Sequence, residues 1–133
     1  MSATTSIGFF RACSTGKIGI VITFLDNGTD PNSRDKYMYT GLIWASRKGM
    51  VHIAELLIQR GADIEARDLR GRTALFHAVT YKRYETVSLL VKLGASINTI
   101  DQYGWTPLDY SISSRHSKMN ALLEHLGAVS SSL

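Results

Sequence analysis

The chain has 133 residues, 44% apolar and 20% charged, a length and balance that fit a single globular domain of soluble type. No apolar run approaches the ~18–20 residues that a membrane-spanning helix needs, and no basic segment precedes an apolar one as a secretory signal would require. The single cysteine, Cys13, excludes an internal disulfide and suits a reducing intracellular compartment, cytoplasmic or nuclear, while the formal charge of +4 takes its meaning from where the charges sit.

A repeat organises everything else. Gly28, Gly61, Gly94 and Gly127 stand 33 residues apart, and alanine follows three of them at Ala62, Ala95 and Ala128. Asp35, Asp68 and Asp101 keep the same interval, as do Thr40, Thr73 and Thr106. Several residue types sharing one period mark internal repeats. They divide one domain, residues 1–133, into units 2–34, 35–67, 68–100 and 101–133. Each unit predicts helix, turn, helix and loop, and short helix pairs of this kind must stack to bury their apolar faces.

In the first unit the spacing predicts a helix over 17–26, with Ile18, Ile20, Val21, Ile22, Phe24 and Leu25 apolar nearly all round. Ile22 falls where the other units carry Glu55, Ser88 and Ala121. An outward apolar face of this kind predicts a cover: residues 1–6 folding back, a partner, a second copy docking through Ile18 and Ile22, or further repeats upstream. In the second unit Val51, Ala54, Leu57 and Ile58 share one helical face. In the third, Thr73 caps a helix over 74–79, and a second helix over 86–91 is stopped by the left-handed backbone that Gly94 supplies. Residues 97–104 are polar, with Asp101 and Gly104 as turn formers. In the fourth unit, apolar positions turn polar. Ser117 replaces Ile18, Val51 and Tyr84; Asn120 replaces Val21, Ala54 and Val87; Glu124 replaces Leu25, Ile58 and Val91. That pattern, followed by Ser130, Ser131 and Ser132, predicts a C-terminal cap.

The run 101–108, with Asp101, Gly104, Thr106, Pro107 and Leu108, resembles the opening of an ankyrin repeat, and 56–63 resembles its closing segment. The resemblance covers the whole chain, and the 33-residue period is the family's own. It implies an all-α solenoid of stacked helix–turn–helix units joined by β-turn or hairpin loops. The chain departs from the pattern in four places. Ile7, Gly8, Phe9 and Phe10 stand where the family has Thr-Pro-Leu-His; Met38 and Lys82 replace usual glycines; Asp109 takes a histidine position. Asn32 and Asn98 occupy the loop position of an asparagine that hydrogen-bonds the turn in the family, where it can also be hydroxylated.

Chemistry of the catalytic kind has no footing here. No zinc-like cysteine spacing, phosphate-binding glycine loop or nucleophile motif occurs, so no metal, cofactor or enzymatic activity is expected. His52, His77, His116 and His125 are scattered; His77 is expected to pack between repeats, and Cys13 to be a buried structural thiol.

The resemblance instead implies binding through turn tips and the exposed side of the inner helices. Carried onto this chain, the turn tips are Lys36, Tyr37 and Tyr39, then Leu69, Arg70 and Arg72, then Gln102, Tyr103 and Trp105. The ends of the inner helices add Arg47 and Lys48, then Tyr81. This set is rich in aromatic and basic residues, the types enriched at binding hot spots, and contains no Asp or Glu. The expected partner is therefore a protein with an acidic contact surface, held by an inhibitor or adaptor. Nucleic acid, stacked on the aromatics, is the alternative. The family also occurs in bacteria that deliver proteins into hosts, which would make the compartment a host cytosol.

Overall fold

A computed structural model describes residues 3–131 of the chain. Among them, the helices fall into four pairs: α1 (Ala3–Thr15) with α2 (Ile18–Asp26), α3 (Gly41–Lys48) with α4 (Val51–Gln59), α5 (Ala74–Thr80) with α6 (Tyr84–Lys92), and α7 (Pro107–Ser113) with α8 (Ser117–His125). Helices α1, α3, α5 and α7 stack on one another as an inner row, and α2, α4 and α6 stack as an outer row. The described residues contain no strand, and the single bridge pairs Arg34 with Thr40 across a turn. The fold is the all-α repeat solenoid that the periodicity predicts.

Threonine starts three of the four inner helices. Its hydroxyl accepts the N–H of Ile43 from Thr40 at 3.1 Å, of Phe76 from Thr73 at 3.4 Å, and of Asp109 from Thr106 at 3.1 Å. Each bond satisfies an amide that the helix itself leaves bare. At the start of α7 the bonding is reciprocal, because the Asp109 carboxylate accepts the Thr106 N–H at 2.9 Å. The histidine position thus becomes the second half of a capping box. The first unit has no such threonine, and nothing in its sequence breaks the helix early. Accordingly α1 runs 13 residues, against 8 for α3 and 7 for α5 and α7.

The turn from inner to outer helix requires a left-handed residue in every unit: Gly16 at φ 81°, Gly49 at 74°, Lys82 at 60° and Arg115 at 59°. Met38, at the turn tip where the later units have Gly71 and Gly104, also sits at φ 64°. The replaced glycines therefore keep glycine's conformation and bear the steric cost of a Cβ there.

The core runs continuously between the rows. Phe9, Leu42, Ile43, Leu75 and Val79 are buried on the inner helices, and Val21, Ala54, Leu57, Val87, Leu90, Met119 and Leu123 on the outer ones. Cys13 is fully buried beside Phe9, and burial pushes its thiol pKa up to about 12, so it behaves as a small apolar side chain. At the far end of the stack Ser117 and Glu124 face solvent, and Asn120 accepts the Ser111 hydroxyl. Ser131 folds back so that its backbone N–H donates to Asp109 at 3.1 Å, and its hydroxyl bonds the same carboxylate. The first outer helix differs, with Ile18 39% and Ile20 50% exposed while Ile22 is half-buried. Residues 3–6 belong to α1, whereas Met1 and Ser2, also expected to fold over this face, lie outside the described residues.

Loops are stitched to the next unit at the repeat interval. Arg34 donates to the carbonyl of Arg67 and Arg67 to that of Ile100, each at 2.7 Å. The Asn32 side chain donates to Gly61 O at 3.0 Å and accepts the Asp63 N–H at 2.7 Å, and Asn98 accepts the Val129 N–H at 2.9 Å. Both asparagines thus carry the loop-bonding role expected of them.

Replacing Lys82 by glycine relieves the left-handed strain at an exposed site. Lys82→Gly is expected to raise stability by about 0.5–1 kcal/mol, the strain removed exceeding the added unfolded-state entropy. A thermal melt monitored by circular dichroism checks this, with the midpoint rising by a few degrees.

Candidate protein-binding surface

The surface is assembled on the three aspartate turns. In each, one carboxylate oxygen accepts two backbone N–H groups, those two and four residues ahead. Asp35 takes Tyr37 and Tyr39 at 2.9 and 3.0 Å, Asp68 takes Arg70 and Arg72 at 2.8 and 3.0 Å, and Asp101 takes Tyr103 and Trp105 at 2.9 and 3.0 Å. The second oxygen finds a side chain. For Asp35 it is the Trp44 indole N–H at 2.8 Å, for Asp68 the His77 Nε2 at 2.7 Å, and for Asp101 the Arg72 Nε at 3.2 Å. Each carboxylate thus has three donors within the fold, and Arg72 also pairs the charge of Asp101, whereas Asp35 and Asp68 keep their negative charge, which at Asp68 acts on the neighbouring Tyr39.

Burial alone would raise the Asp68 pKa, but the bond from His77 and the N–H groups of Arg72 and Arg70 outweigh it and hold the carboxyl below its ordinary value. A carboxylate only accepts, so His77 must carry its proton on Nε2. His77 is 5% exposed and lies edge-on to Tyr39, with ring centres 5.0 Å apart, so its place is between repeats, as its position on the inner helix predicts.

Beside this pair stands an aromatic cluster closed around one cation. Tyr39 meets Trp44 edge to face at 5.1 Å, and the Arg47 guanidinium lies 4.4 Å from the Tyr81 ring centre, 5.8 Å from Trp44 and 5.9 Å from Tyr39. Its Nη1 is 3.5 Å from the Tyr39 hydroxyl oxygen. Three rings therefore surround the guanidinium and stabilise its charge, Tyr81 most closely. Burial pushes the Tyr39 phenol pKa up, with the Arg47 charge pulling the other way.

The structure brings most of the predicted contact residues together and leaves others apart. Tyr37, Tyr39, Arg47, Leu69, Arg70 and Tyr81 line one groove of about 510 Å³ with Trp44 and Asp68. Lys36 and Tyr37 line a neighbouring groove of about 630 Å³, which extends to Ile7, Phe10 and Arg11 of α1. Tyr37 and Trp44 belong to both walls, so the two grooves adjoin. Lys48 is exposed but lines neither groove. Tyr103 and Trp105, 64% and 39% exposed, project with Gln102 from the turn of the fourth unit, beyond both grooves. Arg72, expected as part of the basic face, is bound to the fully buried Asp101 carboxylate and stacks 4.6 Å over the Phe76 ring. Its charge holds two repeats together rather than facing outward.

The linings also hold residues outside the predicted set: Ile7, Phe10 and Arg34, and two more, Trp44 and Arg11. Both stand at the position of His77 and Tyr110, 33 residues apart along the inner helices. Extending the repeat register to that row would have found them. Among the described residues no group of His, Cys, Asp or Glu is placed to hold a metal ion. What the arrangement offers is a walled, cationic and aromatic surface.

A family model described as three copies of ankyrin repeats matches the sequence over residues 9–101 and again over 42–131. A search of curated proteins returned no match.

Asp68 contributes to the acid response, as does Asp109, where burial alone would raise the pKa but hydrogen bonds from Ser131, Thr106 and Ser130 outweigh it and hold the carboxyl well below the ordinary range. A carboxyl held below its ordinary value contributes stability that is present above the unfolded pKa of ~3.9 and is lost as pH falls through the folded value. Asp68→Asn is expected to cost about 1–3 kcal/mol at pH 7 and to flatten the loss of stability below about pH 4. Urea melts at pH 7 and across the acid range test both, and equal acid slopes for the two proteins would contradict the assignment.

Proposed function

This chain belongs to the ankyrin-repeat family, and on that premise we propose that it holds a protein partner with an acidic surface on its inner face. Ankyrin repeats are in general protein–protein interaction modules. The single observation that carries the finer reading is the charge of the two adjoining grooves. Arg11, Arg34, Lys36, Arg47 and Arg70 line them against two carboxylates, Asp35 and Asp68, each held by three hydrogen bonds within the fold, so the balance is positive. Around these charges Tyr37, Tyr39, Trp44 and Tyr81 supply area that can be desolvated at low entropy cost.

Division of labour follows from the chemistry. The exposed cations steer encounter and set orientation, so they act mainly on the association rate. The aromatic walls hold the complex and act on dissociation. A standard interface buries ~800 Å² per partner, within the span of three stacked pairs. The protein acts by occupying a surface, as an inhibitor or adaptor, inside a cell and without cofactor or catalysis.

The test must spare Arg72, because charge reversal there would break its bond to Asp101 and disturb folding. Lys36→Glu combined with Arg70→Glu is expected to slow association with a partner isolated from the native cell by roughly tenfold or more. Tyr37→Ala is expected to speed dissociation instead. Surface plasmon resonance at several salt concentrations separates the two. Unchanged association rates would sink the acidic-partner reading. A steep log–log salt slope would favour a nucleic-acid ligand.

A further inference from the structure

We infer that the two adjoining grooves together read a single extended segment of the partner, one that carries an apolar side chain about three residues from a carboxylate. The inference rests on the protein-binding reading and adds to it the form and pattern of what is bound.

The two grooves differ in chemistry. The first is floored by Phe10 and walled by Ile7, Trp44 and Tyr37, with Arg11 and Lys36 on its lining. Ile7 is 58% exposed and Phe10 only 7%, so an apolar wall descends to a buried floor. Such a cleft takes an apolar side chain whose flanks carry negative charge. The second groove is built around Arg47, whose guanidinium packs among Tyr81, Trp44 and Tyr39. A guanidinium packed among rings loses less freedom on binding than a solvated one, and its fork of donors matches a carboxylate with two parallel bonds. Arg70 lines the same groove and adds charge. Asp35 and Asp68 are each held by three donors of the fold, and among the described residues neither forms an ion pair with Arg47.

The spacing follows from the stack. The first groove lies between α1 and the second unit's turn, and the second lies between that turn and the third unit's. Packed helices stand ~8–10 Å apart, and an extended chain advances ~3.3 Å per residue. One inter-repeat step is therefore about three residues of extended peptide. A segment crossing the shared wall of Tyr37 and Trp44 places its apolar residue and its Asp or Glu at that separation.

The test is selection of a phage-displayed library of random dodecapeptides on the full chain. Enriched clones are expected to pair an apolar residue with Asp or Glu about three positions away. Synthetic peptides from these clones then enter a double-mutant cycle read by fluorescence anisotropy. Arg47→Lys keeps a charge but loses the fork, and should weaken the acidic peptide about tenfold while leaving its Glu→Gln counterpart unchanged. Ile7→Ser, an uncharged change at an exposed position, should weaken both peptides alike. Clones without an acidic preference, or an equal loss on both peptides with Arg47→Lys, would overturn the inference. If no clone enriches while Lys36→Glu with Arg70→Glu still weakens a folded partner, the segment reading falls and the broader one stands. If that charge reversal also has no effect, both fall.

Discussion

Much of this structure depends on a carboxylate that is never left alone. Each of Asp35, Asp68 and Asp101 closes its turn by accepting two backbone N–H groups, then ties the turn to a helix or a neighbouring turn through its second oxygen. The first bonds set where the tip residues point; the second sets the angle of the turn against the stack. A polar group buried in this way must be fully bonded or it destabilises the fold. Those bonds hold the carboxylate in place without removing its charge. The basic character of the inner face comes instead from the excess of Arg and Lys over Asp in the groove linings.

The identity of the third donor shows how much of this was legible beforehand. The 33-residue period, the threonine caps, the turn aspartates and the polar last helix could all be read from residue type alone, because each is a local rule repeated. The fate of Arg72 could not be read so directly. Nine residues beyond Asp35 and Asp68 stand Trp44 and His77, which have a ring N–H to give; nine beyond Asp101 stands Tyr110, which has none. The acceptor on Asp101 is filled instead by Arg72 from the preceding turn, across a repeat boundary. That substitution depends on three-dimensional neighbours, and sequence spacing within one unit does not contain it. Trp44 escaped notice for the opposite reason. It looks like an inner-helix core residue, yet its indole N–H anchors a turn and its ring forms part of both groove walls.

The first unit shows the same limit in a different form. Without a threonine cap, its inner helix is nearly twice as long as α5 or α7. The extra length adds Ile7, which joins Phe10 and Arg11 of the regular part of the helix alongside the second unit's turn. A departure from the repeat pattern, read in the sequence only as a missing motif, therefore builds one wall of the candidate surface. Irregularity in a repeat protein is where specificity has room to arise, since identical units offer identical faces.

The loop stitches have a consequence of their own. In each, a side chain of one unit bonds the backbone of the unit after it: Arg34 to Arg67, Arg67 to Ile100, Asn32 to Gly61 and Asp63, Asn98 to Val129. These loop bonds share a direction, whereas at the turns from inner to outer helix Arg83 Nε reaches back to the Arg47 carbonyl at 3.0 Å. Neighbouring units are therefore held from both sides, and a unit that frays at either end strands polar groups of the one beside it.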